Sequence, residues 1–166
     1  MLRRLCLALA LLAISGLATT ATAGAGPAVS APVSWVMIGQ GATNPPSADE
    51  VLPSCGGVPA GMWVKGTGTL TFFEPTGAAG NFQSMANGSA TDSSGNTYRW
   101  NYHQSVQPLP DGIHVRIVDF FDLSGSGPVA GIHSHFIAVI NGTSVDEATE
   151  FELLHPLGDP FDCDPI

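Results

Sequence analysis

The stretch from Thr97 to Leu123 reads TYRWNYHQSVQPLPDGIHVRIVDFFDL, and it decides the fold class. Its period is two. Tyr98, Trp100, Tyr102 and Val106 share one parity, and Arg99, Asn101, His103 and Ser105 share the other. Side chains alternate between the faces of a strand, so this is a strand with an apolar and a polar side. Pro110-Asp111-Gly112 is a turn signal: proline presets φ, Asp bonds its own backbone, and glycine tolerates positive φ. Beyond it Ile113, Val115, Ile117, Phe121 and Leu123 share a parity, opposed by His114, Arg116, Val118, Phe120 and Asp122. Two alternating runs around a tight turn make an antiparallel hairpin. Asp119 interrupts the apolar parity, which calls for a bulge or a buried, hydrogen-bonded carboxylate.

The same pattern extends outward. From Met62, Val64, Gly66, Gly68, Leu70 and Phe72 alternate with a Thr-rich set, Thr67, Thr69 and Thr71. Glycines inside a strand mark a bulge, tight curvature or a large side chain lying across them. Val33–Gly39 reads as the first strand. Residues 81–91 read as another, with Asn87-Gly88 as its weak point, and residues 129–140 as a later one. Residues 145–154 read as the last. Turn residues stand at Ser93-Ser94-Gly95-Asn96, Ser124 to Pro128 and Asn141-Gly142. Residues 41–59 hold Asn44-Pro45-Pro46, Pro53 and Gly56-Gly57, and read as one long loop. The expectation is an all-β single domain, an antiparallel meander barrel or sandwich of about six to eight strands.

The start of the chain has another character. Arg3 and Arg4 precede an apolar run from Leu5 to Leu17, and Ala21-Thr22-Ala23 fits a signal-peptidase site. Residues 1–23 read as a secretory signal, 24–32 as a flexible leader, and 33–166 as the β domain with a Pro- and Asp-rich tail. The expected location is secreted, with no membrane span once the signal is removed. Cys6 would leave with the signal. Cys55 and Cys163 remain, and an even pair in an exported chain reads as a disulfide. Closing so long a loop is worth about 4–5 kcal/mol in chain-entropy models.

The chain carries 14 Asp+Glu against 5 Lys+Arg, a net charge of -9. Without Arg3 and Arg4 only Lys65, Arg99 and Arg116 remain, so the side-chain balance becomes 3 minus 14, or -11. Such a surface repels nucleic acid, which needs clustered Lys and Arg, and favours a soluble monomer.

The run Gly66-Thr-Gly-Thr-Leu70, followed by Ala90-Thr91 and Gly95-Asn-Thr-Tyr98, resembles a set of small exported bacterial β proteins of uncharacterised function. Asp119-Phe-Phe-Asp-Leu123-Ser-Gly125-Ser-Gly127 and His133-Ser-His135, ending at Asn141-Gly142, fit the same likeness. The resemblance implies an exported all-β domain and carries no activity with it.

Few residues offer chemistry. His133 and His135 stand two apart, so a strand puts both on one face, a spacing suited to zinc or copper. A third ligand would come from His103, His114 or Asp122. The pair resembles a cupin strand, but the acidic residue that cupins place shortly afterwards is replaced by Phe136-Ile-Ala-Val-Ile140. Arg99 with His103, and Arg116 with His114, would form an anion- or polar-ligand patch if their hairpin faces adjoin. Asp159, Asp162 and Asp164 match no calcium loop, so calcium is disfavoured. No nucleophile elbow, P-loop or dinucleotide motif occurs, and no catalytic residue is assigned. The expected function is a non-catalytic binding or interaction module for a small molecule or extracellular partner. The alternatives are a metal-dependent enzyme or metal carrier built on the His-x-His strand, and a cell-envelope structural component.

Overall fold

A computed structural model describes residues 28–52, 57–73, 81–141 and 151–157. The expected signal peptide, its cleavage site, Cys55, Cys163 and the three tail aspartates lie outside the described residues. Eight strands form one sheet: β1 (Val29–Ile38), β2 (Glu50–Leu52), β3 (Trp63–Phe73), β4 (Phe82–Asp92), β5 (Thr97–Pro108), β6 (His114–Gly125), β7 (Ile132–Asn141) and β8 (Phe151–Leu157). No helix occurs among the described residues. The order is β2-β1-β3-β4-β5-β6-β7-β8. From β3 to β8 it is a meander, as tight turns between alternating runs require. The sheet curls into a half-barrel. No pairing joins β2 to β8 among the described residues, so a seam stays open.

Several boundaries differ from the sequence reading. β1 begins at Val29, inside the expected leader, and pairs with β3 from Val29↔Phe72 to Ile38↔Trp63. Small residues and Pro32 concealed it; β2 pairs only with Trp35, Val36 and Met37, and the unpaired side of a strand tolerates proline. β2 lies within the expected loop and runs parallel to β1. Three residues are too few to show a period. Its approach is fixed by Asp49, whose Oδ2 accepts from the Ser34 amide at 3.0 Å and hydroxyl at 2.7 Å. β4 runs unbroken through Asn87-Gly88, and β8 ends at Leu157 instead of Leu154.

The concave face holds the core. Trp35, Trp100 and Phe121 meet there: Trp35 stands edge-on to both, with centroids 5.7 and 5.5 Å away. The mid-strand glycines admit these rings. A Cβ on Gly66 would fall inside the Trp35 indole, and one on Gly68 would come within 2.7 Å of Trp100 Cζ2. The Trp100 Nε1–H reaches across to the carbonyls of Thr67 and Ser89, both at 3.2 Å. Full burial of such rings contributes roughly 1.5–3 kcal/mol each. At the end where β4 meets β5, Asp92 Oδ1 accepts from the amides of Ser94 and Asn96, and Oδ2 from Asn96 Nδ2 and the Tyr98 hydroxyl. Burial raises the Asp92 pKa, but these bonds outweigh it and hold the group below the usual carboxylate range.

Candidate ligand site on the concave face

The side chain that breaks the apolar pattern of β6 is buried, not bulged. The β6 registers with β5 and β7 pass through Asp119 without a shift, pairing Gln104↔Asp119 and Asp119↔Phe136. Asp119 therefore keeps the parity of Ile117 and Phe121 and enters the concave face, 6 % exposed. Its Oδ2 accepts from the Tyr102 hydroxyl at 2.8 Å and from Gln104 Nε2 at 3.2 Å. Both donors are on the neighbouring strand, one directly opposite and one diagonal, within cross-strand reach. Burial pushes the Asp119 carboxyl up to about 7, against the opposing pull of the two hydrogen bonds. Because Oδ2 takes both donors, Oδ1 has no protein partner among the described residues.

Polar neighbours continue on both sides. Ser84 is the partner of Gln104 on β4, and Ser134 that of Phe121 on β7; both are buried. The concave face loosens toward this end on the β3–β5 side. Trp35, Val64, Trp100 and Leu123 are at most 1 % exposed, whereas Phe72, Phe82 and Val106 are only half-buried. The Phe72 and Phe82 rings pair with centroids 5.9 Å apart. The site is thus a carboxyl in the cross-strand row of Phe72 and one row inside Phe82 and Val106.

The basic side chains lie on the outer face of the sheet, together with Asp122. Lys65, Arg99, Arg116, His103, His114, His133 and His135 all take the outward parity of their strands. Glu50, Asp92 and Asp119 take the concave parity. Glu50 and Asp92 stand toward the end opposite Asp119. Among the described residues, the one fully buried side-chain polar atom without a partner is Trp35 Nε1.

The residues singled out by sequence share the outer face without converging. Arg99 pairs with Ser124, whereas Arg116 pairs with Gln107. Eight positions separate them along each strand, about 27 Å at 3.4 Å per residue. His103 is opposite Phe120, and His114 is opposite Asn141. The expected patch of Arg99, His103, His114 and Arg116 therefore does not assemble, because a hairpin brings together only residues equidistant from its turn. His114 Nδ1 instead meets Asp111 Oδ2 at 2.7 Å in the turn. Amides of His114 and Ile113, then the His114 ring, hold Asp111 down to about 2.

His133 and His135 share a face, as their spacing requires, but their rings take separate partners. His133 Nδ1 lies 3.0 Å from the Gly131 carbonyl oxygen, and the His135 ring stands edge-on to Phe120 at 6.2 Å. Phe120 separates His135 from His103 in the cross-strand row. No group of three metal-binding side chains gathers among the described residues, and the His155 side chain lies outside them.

The parity of β6 calls for a bulge or a buried, hydrogen-bonded carboxylate at Asp119; the structure has the second, with partners the parity does not name. The missed signal was Gln104, a second polar residue on the apolar parity, placed opposite Asp119 by counting back through the turn. The chain matches no protein-family model, no curated protein and no solved structure.

Proposed function

We propose that the chain is an exported, non-catalytic binding module that seats a small ligand at the Asp119 end of the concave face. The observation that carries this reading is the buried Asp119 carboxyl, whose Oδ1 has no partner among the described residues, beside the half-buried apolar side chains of Phe72, Phe82 and Val106. Ligand sites combine a mostly apolar lining with a few placed polar groups, and this arrangement has that composition. Binding is favoured over catalysis because Asp119 has no second carboxyl, histidine or cysteine beside it on this face among the described residues. Acid–base work needs a partner group within hydrogen-bond reach of the reacting atoms.

The test is titration of the mature protein with the neutral apolar dye N-phenylnaphthylamine, beside a Ser84→Phe variant that places a bulky ring next to Gln104. Saturable dye fluorescence that is lost in a variant with an unchanged melting temperature supports the reading. Absence of saturable binding by the wild-type protein sinks it.

A further inference from the structure

The polar anchor of this site carries information about what it anchors. We infer that the ligand is an organic cation, an ammonium group on an apolar body, with Asp119 as its counter-ion. The inference rests on the binding reading above and specifies its ligand class.

Three observations lead there. First, Lys65, Arg99, Arg116, His103, His114, His133 and His135 all take the outward parity, so among the described side chains the concave face holds acids without a cation. Second, the two buried acids are treated differently. Asp92 accepts four hydrogen bonds, divided between both oxygens, whereas Asp119 accepts two on Oδ2 alone. Oδ1 is the atom left for a donor from outside the protein. Third, the surroundings suit a cation with an apolar body. Tyr102 and Phe121 flank Asp119 along and across the strands, and Phe72 and Phe82 form the rim. Aromatic faces attract ammonium groups, and a desolvated carboxylate gains more from a cation than an exposed one does. An anionic ligand would meet an uncompensated carboxylate. A neutral alcohol would gain a hydrogen bond but no ion pair.

Protonation separates these cases. Facing Asp119 are Gln104, Tyr102 and Ser84 from β4 and β5, Ser134 from β7, and Ile117 and Phe121 from its own strand. Tyr102 is the only other titratable group in that set. A cation favours ionised Asp119, so its binding near pH 7 releases a proton, whereas an alcohol's binding does not.

Octylammonium, octanol and octanoate share one tail and differ in charge. Each is titrated into the mature protein and into Asp119→Asn, followed by tryptophan fluorescence. At pH 8 octylammonium is expected to bind at least about tenfold more tightly than octanol, a preference lost in the variant and weakened at pH 5. Calorimetry of the wild-type protein at pH 7, in buffers of differing ionisation enthalpy, is expected to show proton release with octylammonium alone. This second measurement holds even where the variant fails to fold. Octanol binding as well as octylammonium, with no proton release, overturns the cation inference and leaves the binding reading standing. Failure of all three to bind overturns both.

Discussion

The Tyr102 hydroxyl donates to Asp119 Oδ2 at 2.8 Å across the β5–β6 pair, inside the curl of the sheet. Tyr102 lies diagonal to Asp119 in the register, since Gln104 is directly opposite. Both donors thus reach one oxygen from one strand. This arrangement orients the carboxyl without neutralising it, and the consequences can be measured.

The first is a pH dependence of stability. Burial raises Asp119 from 3.8 to about 7 in the native state. The folded protein then binds more protons than the unfolded chain between those values. Asp119's contribution is fully present below pH 4 and is lost as pH rises through 7, by no more than about 1.4 kcal/mol per pH unit. Melting temperature should fall from pH 5 to pH 8. Asp119→Asn keeps an acceptor for Tyr102 and Gln104, and should flatten that fall. An unchanged slope in the variant would show that another group titrates.

Asp92 acts with the opposite sign. Its hydrogen bonds hold its pKa below 3.8, so its contribution is present above that value and is lost as pH falls through the folded pKa. Asp92→Ala leaves several donors around the β4–β5 turn without their acceptor. A loss of about 3 kcal/mol is expected in urea unfolding at pH 7, with a smaller loss for Tyr98→Phe. Equal effects of the two variants would contradict the network.

Gly66 is required by Trp35. A Cβ there would overlap the indole, which has no space to retreat beside Trp100 and Phe121. Gly66→Ala should destabilise the fold by about 1–3 kcal/mol through overpacking, read from chemical denaturation. The exposed neighbour Thr67→Ala is the control and should change stability by less than about 0.5 kcal/mol.

The His-x-His pair should not hold a zinc ion by itself. Zinc titration of the wild type and of a His133→Ala, His135→Ala variant should give the same weak uptake, since the two rings turn to Gly131 and Phe120. One zinc per chain, lost in the variant, would restore the metal reading.

Export and the disulfide are tested together. The secreted protein should begin at Gly24 and yield a peptide linked through Cys55 and Cys163 under non-reducing conditions. Two thiols free to alkylation would refute the pairing.

The sequence by itself determined the longer alternating strands and their faces. Alternation in residues 63–73 and 97–123 records which side chains face the core, because the pleat has a fixed period of two. It also exposed Asp119 as a polar residue on the wrong parity, and marked Gly66 and Gly68 as places for a bulge, tight curvature or a large side chain, of which the structure has Trp35 against Gly66. What it could not determine was distance between strands. Arg99 and Arg116 share a face and still stand at opposite ends, because register fixes separation along a sheet and composition does not. β2 was invisible for a related reason: three residues show no period, and only pairing with β1 makes them a strand. Tertiary structure alone decided which polar atoms remain without partners. That both donors meet Asp119 at Oδ2 follows from where Tyr102 and Gln104 reach, a property of the folded register that no residue carries in isolation.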